Sequence, residues 1–353
     1  MPPGYLTAWQ PSSAFVTGGA LVAAGQQPTP APGVLPQANE SKSAGEDCGT
    51  CGSASTCCPR WSMFGDILYI RPRNQEVAIA VPANGAVPPN PAPIQVGPTV
   101  IADFDYEPAF RLGSTMPFGE CSLLRSTFTY LEATTNTYGA TRPPNVMQPM
   151  ITHPAVDLAD RTFLEAAGRY LLDVELYDVD WVRVLSIGDY HQLDLVLGGR
   201  YAGLSQELRT SLIANVRDTV DTDVNFNGGG IRVGLEGEWH DTSRYWLLYA
   251  RSAASFVAGE FRASYRQTNN LGQRLVDTSW EAGRLISMLD LEIGLGWHNA
   301  RDTMRFTAGY MVSGWHNTVN TAQYIDAVQT NEYAGLGDFM TFDGFVGRAE
   351  FRF

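Results

Sequence analysis

The chain has 353 residues with 24 basic and 37 acidic side chains, so its net charge is −13. That balance excludes a nucleic-acid binder, which needs a basic patch, and the length excludes a disulfide mini-protein. Charged residues make up 17% of the chain, below the roughly 25% of soluble domains, while apolar residues reach 44% and aromatics 11%. No run approaches 18 consecutive apolar residues, so no helix spans a membrane. Two classes remain: a soluble all-β domain and a membrane β-barrel, whose strands need not be continuously apolar.

Residues 1–60 form a separate arm. They hold eight Pro, eight Gly and five charged residues, with no apolar period to support a core. Residues 12–25 read as an atypical signal segment, because no basic residue precedes Lys42. Cys48, Cys51, Cys57 and Cys58 cluster in DCGTCGSASTCC. A metal knuckle needs a second spaced pair, which the adjacent Cys57 and Cys58 do not supply. No His follows the C-x-x-C, so covalent haem attachment is excluded. The four are read as disulfide candidates, and no metal or other cofactor is expected. Cys121 is read as a small packing residue on a strand.

From residue 61 the period is two, the signature of strands with one apolar and one polar face. In TVIADFDYEPAFRLG, Ala102, Phe104, Tyr106, Phe110 and Leu112 oppose Asp103, Asp105, Glu107 and Arg111. Leu172, Val174 and Leu176 oppose Asp173 and Glu175, and the phase then breaks near Tyr177, where a bulge is expected. Leu193, Leu195, Leu197 and Tyr201 oppose Asp194, Arg200 and Gln206; Ile231, Val233, Leu235 and Trp239 oppose Arg232, Glu236 and Glu238. The rows Leu289–Trp297 and Phe306–Val312 face away from Asp290, Glu292 and Arg305. Ten strands result, with twelve as the alternative: about 61–72, 101–115, 121–133, 163–186, 191–207, 229–239, 245–262, 284–298, 303–316 and 340–353. Links alternate between short (116–120, 187–190, 240–244, 299–302) and long (73–99, 134–160, 208–228, 265–282, 317–339). Short turns on one rim and long loops on the other are the plan of a closed, antiparallel, up-and-down transmembrane barrel, with the short turns periplasmic. A Greek-key sandwich gives no reason for that alternation.

Tryptophan placement agrees. Trp61, Trp181, Trp239, Trp246 and Trp297 fall near the short-turn ends, and Trp280 and Trp315 near the opposite ends, as an aromatic girdle requires. The last strand, GFVGRAEFRF, ends on Phe353. A terminal aromatic on an alternating strand resembles the signal that barrel-assembly machinery reads.

Residues 61–353 resemble the pore-forming outer-membrane family typified by the Legionella major outer membrane protein, in a Planctomycetes-type form. GDILYIRPRN, VLGGRYAGLSQ, NFNGGGIRVGLEGEW and YWLLYARSAASFVAGE carry the resemblance. It implies a bacterial outer-membrane address, lipid around the wall, small solutes or ions as partners, and a passive pore. Facing apolar rows to lipid puts the charged rows in the lumen, since an Arg at mid-membrane on the lipid side costs roughly 2–4 kcal/mol. The lining set is then Asp103, Asp105, Arg111, Asp194, Arg200, Arg232, Glu236, Arg251, Asp290, Glu292, Arg305, Arg348 and Glu350, with Asp173, Glu175 and Arg352 on the same reading. Ten strands lie little above the size whose interior side chains fill. The expected hole is therefore narrow, and a plugged structural or adhesive barrel is the alternative. No G-x-S-x-G or H-E-x-x-H occurs, so no enzyme is expected. Asp218, Asp221 and Asp223 read as solvated surface charge.

Overall fold

A computed structural model describes residues 60–85, 93–119, 121–156, 163–214, 217–242 and 245–353. The arm, with its signal segment and Cys48, Cys51, Cys57 and Cys58, lies outside the described residues.

Ten strands close a barrel. In chain order they are β1 (Ser62–Arg73), β4 (Glu107–Pro117), β5 (Ser122–Ala140), β7 (Glu165–Ile187), β8 (His191–Ile213), β9 (Arg217–His240), β10 (Trp246–Thr268), β11 (Arg274–His298), β12 (Met304–Thr318) and β13 (Asp338–Arg352). All pairs are antiparallel, and β1 closes the ring between β4 and β13. Three short strands, β2 (Val77–Ala83), β3 (Val100–Ala102) and β6 (Val146–Pro149), form a separate sheet in the order β3-β2-β6. Helix α1 (Thr321–Thr330) lies between β12 and β13.

The wall reverses its polarity partway along each long strand without changing register. In β7, Tyr177 and Val179 point outward and are exposed, while Asp178 and Asp180 point inward and are buried. A few residues earlier the same two faces exchange character. Leu172 and Val174 are buried inside, and Glu175 is exposed outside. Pairing with β5 and β8 is continuous through Tyr177. The bulge expected there is absent, and the register shift in β7 lies instead between Val184 and Ser186. Neighbouring strands behave alike. In β8 the outward row passes from Leu193, Leu197 and Tyr201 to Ser205, Glu207 and Arg209, while the inward row passes from Asp194 and Arg200 to Leu204 and Leu208.

The physical reason is a change of solvent outside the wall. From Leu193 to Tyr201 the outward row is apolar over eight residue steps, about 27 Å of strand at roughly 3.4 Å per residue. A tilt of about 40° leaves roughly 21 Å, close to the ≈ 25 Å apolar band of outer-membrane barrels. Beyond Tyr201, β8 continues for twelve residues past that band. There water bathes the outside, and the inside becomes an ordinary hydrophobic core.

The small sheet and α1 complete that core. Helix α1 packs against β2, β8, β9 and β10, and β2 and β3 pack against β7. The apolar positions Tyr324, Ile325 and Val328 recur at helical spacing and are buried. Asn320 caps the N-terminus by accepting from Gln323 N–H at 2.8 Å, and Asn331 takes the left-handed conformation at the C-terminus with φ 60°. Gln206 fixes the helix entry: its Nε2 donates to Val319 O at 2.9 Å, and its Oε1 accepts from Thr321 N–H at 3.1 Å. Opposite, Gln329 donates to the carbonyls of Met150 and Thr152 at 2.7 and 3.0 Å.

Two sequence expectations change accordingly. The long links 208–228 and 265–282 are mostly strand, and the described turns there are short. Residues 101–115 are two elements: β3 in the small sheet, then β4 in the wall.

The reversal predicts an unusual mutational pattern. Leu291→Arg faces hydrocarbon and costs about 2–4 kcal/mol, and Val174→Asp buries a charge in the outer core with loss of the heat-modifiable barrel. Glu175→Leu, one residue away, changes stability by under about 0.5 kcal/mol. Urea midpoints of refolded variants measure all three.

Candidate functional site

Within the apolar band the inward positions carry charge. Asp66 comes from β1, Arg111 from β4 and Arg125 from β5. Strand β7 supplies Asp178 and Asp180; β8 supplies Asp194 and Arg200; β9 supplies Arg232, Glu236 and Glu238. The ring continues with Arg251 on β10, Asp290 and Glu292 on β11, Arg305 on β12, and Arg348, Glu350 and Arg352 on β13. Every cation is Arg; the chain's one Lys, Lys42, lies in the arm. Guanidinium forks suit this work, because each can bind two carboxylates at once and none can lose its proton.

The ion pairs are tight. Arg200 holds Asp178 with two bonds of 2.7 and 2.8 Å and reaches Asp290 at 2.7 Å. Arg348 grips Asp66 at 2.7 and 2.8 Å, and Arg111 joins Asp66 to Glu292 at 3.1 Å each. Arg125 binds Glu236 at 2.5 and 3.0 Å, and Arg251 binds Glu292 at 3.0 Å. Toward the short-turn rim, Arg305 holds Glu238 at 2.7 and 3.0 Å, and Arg352 joins Glu350 at 2.9 Å to Asp302 at 3.0 Å. Asp194 accepts from Gln192. Glycines make room for this lattice: Asp180 Oδ1 lies where a Cβ of Gly198 would stand, and the Tyr249 hydroxyl occupies that place at Gly309.

Above the lattice lies a cavity of about 100 Å³. Its floor is charged. Its roof is apolar, with Leu68, Val174, Met311, Trp315 and Phe342 closing toward the outer core.

Most of the sequence-derived lining set sits in this lumen: Arg111, Asp194, Arg200, Arg232, Glu236, Arg251, Asp290, Glu292, Arg305, Arg348 and Glu350. Asp103 and Asp105 do not. Both are exposed on the segment before β4, and Asp103 pairs with Arg71 at 2.7 Å. Asp173 and Glu175 lie on the water-facing outer side of β7, where burial and the carboxylates of Glu132, Glu175 and Glu207 raise the Asp173 pKa. Sequence reasoning missed Asp66, Arg125, Asp178 and Asp180. The signal for the last two was present in YDVDW, a clean alternation hidden by phasing β7 on its outer half.

Trp61, Trp239, Trp246 and Trp297 are exposed outside at the short-turn rim, and Trp181 faces outward half-buried. Trp315 and Trp280 are not girdle residues. Trp315 is 1% exposed inside, donating to Ser313 Oγ at 3.0 Å, and Trp280 packs inward under Arg284. Their strands have reached the zone where the inside is the apolar side. The outer edge of the band is instead a belt of Tyr and Phe, in which Phe128 touches Tyr177 and Tyr177 touches Tyr201. Asp343 faces outward there, clamped by Arg73, Tyr106 and Tyr310. Phe353 is exposed at the short-turn rim, its N–H donating to Trp61 O at 2.9 Å. Cys121 is disulfide-bonded, not a packing residue. Among the described residues no cluster of His, Cys, Asp or Glu is placed to hold a metal.

A family model described as the Legionella pneumophila major outer membrane protein precursor matches residues 55–344. The chain belongs to that family. It is a β-barrel of the bacterial outer membrane, with its short turns periplasmic. No curated protein matches it. Among solved structures, the outer-membrane protease OmpT of Escherichia coli is similar at 8% identity and TM-score 0.47, covering 86% of this chain and all of that one. A Pseudomonas aeruginosa FadL homologue aligns at 7% identity and TM-score 0.26, covering 82% and 89%. The TodX deltaS2S3 mutant monoaromatic hydrocarbon channel aligns at 8% and 0.28, covering 84% and 91%. At these scores none of the three carries a functional argument.

The lattice predicts an asymmetric cost. Asp66→Ala strands Arg348 and removes one of the two carboxylates held by Arg111 in a buried setting, and costs about 3–5 kcal/mol. Asp302→Ala, at a partly exposed pair on the periplasmic rim, costs under about 1 kcal/mol. Denaturant midpoints in liposomes measure the difference.

Proposed function

We propose that the barrel is a narrow passage for small solutes or ions, closed in this structure by its outer core. The contrast between its two halves carries the reading. In the outer half the chain fills the ring with Leu, Val, Phe and Tyr; in the membrane half it fills the same ring with ion pairs. Buried ion pairs are seldom better for stability than apolar packing, so closure alone does not call for them. A transverse field that orders water and discriminates ions does. Buried lumen atoms without a protein hydrogen bond, among them Arg232 Nε, Arg305 Nε and Asp180 Oδ1, support a hydrated lining.

The closing elements are separable from the wall. Among the described residues the β3-β2-β6 sheet shares no ladder with the barrel, and α1 is held by side-chain bonds and packing. Displacing them opens the lumen while leaving every barrel ladder intact. A second reading, a structural envelope barrel without transport, draws support from the same dry outer core.

Planar-bilayer recording separates the two. The pore reading expects brief, small openings of the wild type and long-lived openings of Tyr324→Asp, which puts a charge under α1. Silence from both, with heat-modifiable barrels, favours the structural reading.

A further inference from the structure

The periplasmic mouth of the lumen carries a histidine pair that the ion lattice does not use. His240 ends β9 and His298 ends β11, and both continue the inward rows of their strands. Between them runs β10, whose first inward residue, Leu247, pairs with His240 on one side and with Gly296 on the other. The two rings meet edge to face, with centroids 5.8 Å apart. Their backbones are pinned: His240 N–H donates to Tyr190 O at 2.8 Å, and His298 N–H donates to Tyr245 O at 3.0 Å. Each ring has a carboxylate near its edge. His240 Nε2 lies 3.8 Å from Glu238, and His298 Nδ1 lies 3.7 Å from Asp302 and 3.3 Å from Asn299 O. Both carboxylate distances are too long for a hydrogen bond. Both carboxylates are held elsewhere, Glu238 by Arg305 and Asp302 by Arg352. Either ring can therefore gain or lose a proton without breaking an ion pair.

Charge reaches the pair from every neighbouring element. Strand β9 gives Glu238, β12 gives Arg305, β13 gives Glu350 and Arg352, and the β11–β12 turn gives Asp302. Strand β8 gives Asp194, one inward step deeper, which accepts from Gln192 and forms no ion pair among the described residues. Strand β10 offers Leu247 and Tyr249 before Arg251. Four carboxylates against two guanidiniums leave this tier formally −2 with both rings neutral, and 0 with both protonated. The described turn residues Arg60, Asp189, Asp241 and Arg301 add two charges of each sign and do not change that sum. The lattice around the cavity joins six guanidiniums to six carboxylates and is neutral. Net charge along the lining therefore resides at the mouth. We propose that His240 and His298 set the ion preference of that mouth, and that protonating them removes a preference for cations. The inference rests on the solute-passage reading. A ring of excess carboxylate favours cations, and the guanidiniums keep their charge throughout. Histidine ordinarily changes charge between pH 5 and 8, so each proton the pair takes up as pH falls removes one unit of negative charge.

The test is the reversal potential of the full-length protein in a planar bilayer under a potassium chloride gradient. It is read at pH 8 and at pH 5.5, for the wild type and for the open variant Tyr324→Asp. The permeability ratio of potassium over chloride is expected above one at pH 8 and roughly threefold lower at pH 5.5. His240→Gln combined with His298→Gln is expected to fold, shown by heat-modifiable migration, and to hold a constant ratio across that range. His240→Lys combined with His298→Lys, a fixed positive pair, is expected to show at pH 8 the ratio that the wild type reaches at pH 5.5. A fall that survives in the glutamine variant belongs to the carboxylates, Asp194 first among them, and overturns the proposal. A lysine pair that leaves the pH 8 ratio at the wild-type value overturns it too. Conduction with a ratio flat between the two pH values overturns this inference and leaves the passage. Silence of both the wild type and the open variant overturns the passage, and this inference with it.

Discussion

Hydrocarbon touches only the short-turn half of each long strand, and that constraint organises the molecule. A lipid-facing position must be apolar, and an inward position at the same depth is free to be polar. Past the lipid edge water takes over outside, and the inward row becomes the place to hide apolar surface. Because side chains alternate with period two, the wall meets both demands with one register. Asp178 and Leu172 sit on the same face of β7, six residues apart, on opposite sides of that edge.

The consequence is a ring with two interiors. Below, Arg and carboxylate side chains neutralise one another and leave a small cavity. Above, the wall forms a dry core with β2, β3, β6 and α1, whose polar entry points are satisfied by Gln206 and Gln329. The two meet at Met311, Trp315 and Phe342, where an apolar ceiling rests on charged walls. On the proposed passage reading, a solute in the cavity meets charged side chains below and hydrocarbon overhead.

Much of this was legible in the sequence. Alternation and link lengths located all ten barrel strands, and Arg200, Arg232, Glu292 and Arg348 of the polar rows face inward in the structure. What failed did so for one reason. The apolar row was assumed to face lipid along the whole chain, so Asp103, Asp105, Asp173 and Glu175 were assigned to the lumen and Trp315 and Trp280 to the girdle. All six lie beyond the edge, where the assignment inverts. Helix α1, β2 and β6 were invisible as closing elements because their apolar positions fall in stretches that read as loops, and β3 was read as the start of a barrel strand. Pairing between the arms of the ion lattice was also out of reach, since Asp66 and Arg348 are 282 positions apart in the chain.

Depth-resolved accessibility along β8 tests the account most directly. Nitroxide labels placed singly through a ketone-bearing amino acid, which spares the native disulfide, report collisions with lipid-soluble oxygen and with a water-soluble nickel chelate. Labels at Leu197 should favour oxygen, labels at Ser205 and Arg209 on the same face should favour the chelate, and labels at Leu208 should be shielded from both. Oxygen preference persisting from Leu197 through Arg209 would contradict the reversal and, with it, the division of the lumen into a charged zone beneath an apolar core.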